Sequence, residues 1–310
     1  MYCVFLPING GSSSRWQDRI EGSVAEGAAL ALHTTYRVGG PAKYLVVPAT
    51  TDDVREVFAS GEDTFVMGAG SNVLVADAGF DGVVLKICNT MAHISAQDGE
   101  VVVGAGRLLP SLVNSCVEMG LSGMEWAVGI PGTVGGAVCA NAGAFGSATW
   151  DCVDYVGVVT ADGSCQRLAA ADVEHGYRFA DFPVVGPFAV TEVAFRLAGS
   201  DVGRVHALTE EYKARRGETQ PLGAASAGCV FKNPPEGPAA GELIDKAGLK
   251  GLTRDGAVVS AKHANFIVNE GGAAAADIYD LIEEIREAVR GKFGVTLELE
   301  IKLVGDFHRG

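Results

Sequence analysis

Two glycine-rich stretches are the parts of this sequence best suited to hold a reactive group. The first, Gly68-Ala69-Gly70-Ser71-Asn72, follows an apolar run at 64–67 that reads as a strand. Glycines there let backbone N–H groups close on a phosphate and form an anion-binding nest, which needs no net positive charge. The spacing is not the dinucleotide fingerprint of a βαβ unit: the third glycine of G-x-G-x-x-G would fall at Val73, and no long crossover follows. A plain glycine turn between two strands is the commoner explanation of such a loop taken alone. The second stretch, Gly129-Ile130-Pro131-Gly132-Thr133-Val134-Gly135-Gly136-Ala137, continues through Asn141 to Gly146. So many small residues cannot build an ordinary core. Something flat or phosphorylated is expected against that backbone, a tightly turning irregular segment being the alternative.

The elements that must hold these loops are mostly short strands, expected at 44–47, 64–67, 83–87, 101–103, 155–159 and 190–195. Thr51 is placed to N-cap a short helix with Val54, Val57 and Phe58 on its apolar face, and a second helix starts near Pro110 and stops at Gly120. A polar helix over 205–216 opens the last third, which puts a boundary near residue 200. Ile278, Leu281, Ile282, Ile285 and Val289 fall at i, i+3, i+4, i+7 and i+11, an amphipathic helix. A strand over 296–304 follows, whose alternation puts Glu298 and Glu300 on one face. The expected organisation is a loose lead-in at 1–27, a two-lobed domain at 28–200 and a C-terminal domain at 201–310.

Composition narrows the function. The 310 residues carry a formal charge of -14, too acidic for a general nucleic-acid binder, which must displace phosphate counterions with a positive surface. Anionic ligands must be held locally, by the loops or by the net basic stretch from Lys213 to Lys262, although a charged run more often marks a solvated face. The seven cysteines show no Cys-x-x-Cys pair and no zinc-ligand spacing, so reduced thiols and no metal are expected. The apolar start at 4–8 lacks a basic flank and is too short to span a bilayer; no membrane segment is read.

Several blocks, taken together and in order, resemble the UDP-N-acetylenolpyruvoylglucosamine reductase family: TTYRVGGPA at 34–42, the loop at 68–74, the run at 129–146, Tyr177-Arg178, SAGCVFKNP at 226–234, SAKHANFIVN at 260–269, and Glu300. The resemblance implies an α+β protein, with a two-lobed FAD-binding domain of the vanillyl-alcohol-oxidase type followed by an α+β C-terminal substrate domain. It implies cytoplasmic reduction of UDP-N-acetylglucosamine enolpyruvate to UDP-N-acetylmuramate, a step of peptidoglycan precursor synthesis, with non-covalent FAD and with NADPH as reductant. The spacing before residue 226 resembles the shorter of the family's two subtypes. Oligomeric state is left open, and a monomer is compatible with the sequence.

The family's catalytic positions fall on Arg178, Cys229 and Glu300, and the glycine loops become the FAD site. Cys229 stands where serine is usual, as the implied proton donor, although a cysteine chosen at random is more often buried and inert. With an ordinary thiol pKa of about 8.5 it would lose its proton in mildly alkaline solution and become open to alkylation. Tyr177, Lys232, Asn233, His263 and Asn265 are expected around the substrate, and the basic residues of the last third fit a UDP diphosphate. Ala180 replaces the family's usual serine, so a hydrogen bond there must be missing or supplied differently. Two other readings are an FAD-dependent alcohol oxidase of the same fold, against which the 226–234 block counts, and a flavin or UDP-sugar binding module without turnover.

Overall fold

The computed structural model describes residues 15–307, so the first half of the expected lead-in lies outside the described residues. The first lobe is a four-stranded sheet in the order Ser23–Ala29, Pro41–Val47, Phe80–Lys86, Thr64–Met67. Its first pair is antiparallel and its last two pairs are parallel. Helix α1 (Thr51–Ala59) connects Pro41–Val47 to Thr64–Met67 and buries Val54 and Val57. Its N-cap is Thr50 rather than Thr51: the Thr50 hydroxyl accepts the Asp53 amide, and Asp53 reaches back to the Thr50 amide in a capping box. The buried Asp53 carboxylate also accepts Glu21 N (2.7 Å), Gly22 N (3.0 Å) and Ala49 N (2.7 Å).

Those bonds, and the pairing of Ser23–Ala29 with Pro41–Val47, correct the expectation of a loose lead-in as far as residue 27. The strand was hidden because it is a mostly exposed edge rich in alanine, with Val24 as its one large apolar residue and so no apolar alternation.

The second lobe is an antiparallel five-stranded sheet in the order Cys165–Ala169, Val153–Thr160, Phe188–Arg196, Glu100–Gly104, Ile94–Gln97. Helices α2 (Leu109–Glu118) and α3 (Val134–Cys139) belong to it. Helix α4 (Val202–Thr219), expected to open the C-terminal domain, packs on α2 and on the 3-10 turn Glu125–Ala127. By packing it continues the second lobe.

The C-terminal domain holds α5 (Ala240–Ala247), α6 (Ala275–Phe293) and a small antiparallel sheet of Thr253–Arg254, Ala257–Val259 and Ile267–Asn269. All five periodic apolar residues of α6 are fully buried. The strand expected over 296–304 forms only at Lys302–Val304, parallel to Val73–Val75 of the first lobe. The chain changes partner on the way: Lys232 N donates to Glu298 O and Glu300 N to Val230 O, both at 2.8 Å, and Lys302 N then turns to Asn72 O at 2.9 Å. Asp77 of the first lobe accepts the Ala275 and Ala276 amides, each at 2.9 Å, and so ties α6 to that lobe.

Candidate active site

The two glycine loops are knitted together. A Cβ on Gly68 would lie 2.3 Å from Thr133 Oγ1, so only glycine lets the loops approach this closely. Gly70 has φ +69, and a side chain there would strike His33 O at 2.2 Å. Ser71 Oγ donates to Pro131 O at 3.0 Å, close to Gly132, and Thr133 N-caps α3 through Gly136 N. Ala69 and Ile130 are half-buried, and Gly135 and Ala137 pack inward. Gly129, Pro131 and Gly136 remain exposed, and a side chain on Gly136 would meet only Thr133 Oγ1, at 3.5 Å. Backbone laid bare in this way fits a flat, phosphorylated group such as FAD. Asn72 joins the loop to the chemistry, since its Nδ2 donates to Glu300 O at 3.2 Å.

Arg178 and Tyr177 form the turn of a two-stranded hairpin, Glu174–Gly176 with Phe179–Asp181, in which Ala180 pairs with His175. Arg178 sits at φ 60, a conformation that costs a non-glycine residue on the order of 1 kcal/mol and needs outside support. Its guanidinium supplies that support: Nη2 donates to Gly143 O at 3.0 Å and Nη1 to Asn141 O at 3.5 Å. Nε lies 2.8 Å from Glu300 Oε1, an ion pair by distance in which the N–H is not aligned on the oxygen. Tyr177 is exposed, and its hydroxyl accepts Asn233 N at 3.2 Å.

Cys229 and Glu300 come from the C-terminal domain. Burial raises the Glu300 carboxyl above the ordinary range, and Arg178 and then Lys232 oppose that rise. Cys229 is partly accessible but densely surrounded; burial and then Glu300 push its thiol up to about 12, against Arg178, Arg216 and a bond from Asn265. The thiol is therefore held protonated, which overturns the expectation of proton loss in mildly alkaline solution. Glu298 differs from Glu300 in burial, with a side chain 79% exposed against 18%. Lys232 lies 3.9 Å from Glu298.

Of the other expected residues, Asn265 reaches Cys229, whereas Asn233 and His263 find their partners elsewhere. Asn265 is buried, and its amide pairs with both the N–H and the C=O of Phe231, at 2.9 and 2.8 Å, so it clamps the segment that carries Cys229. Asn233 accepts Ala240 N at 3.0 Å and fixes the start of α5. His263 receives Asn265 N on Nδ1 at 3.3 Å and packs edge-on to Phe266; burial and then Lys250 act to lower its pKa. Among the described residues it makes no hydrogen bond or ion pair with Arg178, Cys229 or Glu300. Arg216 of α4 was missed as a site residue because the sequence shows it only as one of several charges. It is buried, and it donates to Val128 O at 2.9 Å and Trp126 O at 3.3 Å, just ahead of the second glycine run.

Two knitted glycine loops on a two-lobed α+β module define a flavin-binding oxidoreductase, and residues 42–169 match the family model described as an FAD binding domain. Residues 220–304 match that described as UDP-N-acetylenolpyruvoylglucosamine reductase, C-terminal domain. Over 290 residues the chain is 44% identical to the UDP-N-acetylenolpyruvoylglucosamine reductase of Desulfosudis oleivorans, spanning 89% of this chain and 93% of the relative. It is 37% identical over 293 residues to that of Bacillus subtilis, spanning 93% and 96%. The crystal structure of UDP-N-acetylenolpyruvylglucosamine reductase from Thermus caldophilus aligns at TM-score 0.80 and 35% identity, over 92% of this chain and all of that one. The chain belongs to the UDP-N-acetylenolpyruvoylglucosamine reductase family.

Proposed function

We propose that Arg178, Glu300 and Cys229 carry out the substrate half of an FAD-mediated reduction. The chain is an FAD-dependent oxidoreductase that uses NADPH to reduce the enolpyruvyl group of UDP-N-acetylenolpyruvoylglucosamine for peptidoglycan synthesis. The observation that carries the residue roles is convergence: an arginine from the second lobe and a carboxyl and a thiol from the C-terminal domain meet beside the loop that Asn72 ties to Glu300. The chemistry FAD supplies when bound is hydride carriage, from NADPH to the terminal methylene carbon of the substrate. The Gly68–Asn72 and Gly129–Ala137 backbones would hold it.

The Arg178 guanidinium stands ready to oppose negative charge developing on the substrate carboxylate as the double bond is reduced. Glu300 holds Nε of that guanidinium and leaves the other nitrogens to be fixed by the Gly143 and Asn141 carbonyls. Cys229 then gives its Sγ proton to the carbon next to the carboxylate. Because its thiol is held protonated to about 12, the acid is loaded at working pH. Tyr177 is exposed next to Arg178 and the Lys232 ammonium is partly exposed, so both are free to meet substrate, Lys232 at a diphosphate. Asn233 and His263 act at one remove, while Asn265 braces the segment that carries Cys229 and reaches its thiol.

Cytoplasmic operation as a monomer belongs to the same proposal. It is supported by two soluble nucleotide reactants and by a site completed within one chain; among the described residues no helix is long and apolar enough to cross a membrane. Stopped-flow mixing tests the reading. NADPH should bleach the flavin, UDP-N-acetylenolpyruvoylglucosamine should restore its colour, and Cys229→Ala should lose only the second step. A protein that cannot be loaded with FAD, or whose reduced flavin ignores the substrate, would defeat it.

A further inference from the structure

Tyr36 is a buried titratable group that the reaction above leaves unused. It comes from the first lobe, yet it is fully enclosed in the C-terminal core with Ala227, Val230 and Phe231, the residues that flank Cys229. It is pinned on both sides: Thr35 Oγ1 donates to Ser226 O at 2.6 Å, and Asn269 Nδ2 donates to Tyr36 O at 2.9 Å. Among the described residues its hydroxyl makes no well-formed hydrogen bond. The Ala227 backbone amide approaches it, and Cys229 is near enough for charge on the sulfur to be felt at the phenol. An amide N–H can only donate, so the phenolic proton has no acceptor. A buried polar group left in that state destabilises the fold, and phenylalanine would fill the same space without that cost.

Proton transfer from Cys229 creates the missing acceptor. The S–H bond breaks, a C–H bond forms on the substrate, and the electron pair of the S–H bond stays on sulfur as a thiolate. Arg178 and Arg216 favour that charge, while burial and Glu300 oppose it. We propose that Tyr36 is a positioning residue for Cys229, its buried hydroxyl donating a hydrogen bond to the thiolate sulfur while keeping its own proton. Solvent returns the proton to sulfur after product leaves, so no further reactant is required. The inference rests on Cys229 as the acid, but it concerns the thiolate itself and can be read without turnover.

The test is Tyr36→Phe in the FAD-loaded enzyme without substrate. Iodoacetamide labelling of the Cys229 peptide, followed by mass spectrometry at about pH 9, reports the thiolate fraction. A donor to an ionised group is lost, so labelling should slow about tenfold. The exposed Cys165 should react at the wild-type rate, and thermal stability should hold or rise. Reduction of the flavin by NADPH should be unchanged, and its reoxidation by substrate should slow by a similar factor. Wild-type labelling of Cys229 in Tyr36→Phe overturns the proposal. Slowed labelling, with normal reoxidation in both Tyr36→Phe and Cys229→Ala, would keep the link between Tyr36 and the thiolate and remove Cys229 from the reaction.

Discussion

Arg178 and Glu300 meet with Nε 2.8 Å from Oε1, and this pair joins the second lobe to the C-terminal domain at the proposed reaction centre. Both side chains are largely withdrawn from solvent, so the contact is screened far less than a surface pair. It fixes the fork of a residue whose backbone is already in the left-handed region.

Arg178→Lys is therefore expected to be severe. Lysine keeps the charge but cannot reach Glu300, Gly143 and Asn141 at once with one ammonium group. Reoxidation of reduced flavin by the UDP-sugar should fall on the order of a hundredfold, as when one preorganised donor is lost from a reaction centre. The flavin should stay bound and be reduced normally by NADPH. Wild-type reoxidation would remove Arg178 from the mechanism.

Glu300 sets the acid side of the pH profile. Burial raises its pKa, so the folded protein protonates it at a higher pH than an ordinary glutamate, and the ion pair weakens as pH falls through that raised value. Reoxidation by substrate should decline toward acid earlier than a free carboxylate would predict. Glu300→Gln should be slow throughout but should lack that limb. The raised pKa also means that the charged carboxylate opposes folding above it, so Glu300→Gln should not lower stability near neutral pH. Rate and thermal midpoint measured against pH, in both proteins, check the two signs together.

Cys229 tests the structure against the simplest expectation from residue type. A thiol held protonated to about 12 contributes no alkaline limb below about pH 10, whereas an ordinary thiol would. Cys229→Ala should accept hydride from NADPH at the wild-type rate and lose about 100-fold or more in reoxidation, the usual size of a general-acid contribution. Cys229→Ser should recover part of that loss with the same alkaline behaviour as wild type. A limb near 8.5 in the wild type that vanishes in the serine variant would show that the site does not hold the thiol protonated.

The sequence was most legible where local pattern and structure share a cause. Helix α6 was readable because its burial follows the helical period, and the glycine loops because close backbone approach demands glycine. The meeting of Arg178, Cys229 and Glu300 has no local period; it depends on a hairpin turn, an Asn265 clamp and a change of strand partner near Glu300. Family resemblance alone pointed to those three. The pattern misled at 296–304, where alternation continues on paper while the chain leaves the 230–232 segment for Asn72. It was silent on α4, whose few buried positions, Val205, Thr209 and Arg216, do not say which domain they face.

Arg216 is where that silence hid the most. Its Nε and Nη2 hold the Val128 and Trp126 carbonyls while Nη1 donates to Gln220 Oε1 at 3.2 Å, and a Cβ on Gly129 would come within 3.2 Å of its Cδ. The guanidinium thus shapes the entry to the second glycine run from α4, and at 129 the positive φ of +72 favours glycine while the arginine stem crowds any side chain. Arg216→Met would keep much of the stem's volume but strip two carbonyls of their donor, at about 1–3 kcal/mol each if no water replaces it. The loss should appear as local loosening of the 126–132 segment, so FAD affinity should fall about tenfold to a hundredfold while the rest of the fold persists. Arg216→Lys should recover only part, because one ammonium cannot span both carbonyls in the arginine's geometry. Titration of the FAD-free protein with FAD, followed by flavin fluorescence, measures the affinity, and circular dichroism checks the fold. Unchanged FAD affinity in Arg216→Met, beside a lowered thermal midpoint, would limit Arg216 to general stability and break its link to the cofactor loop.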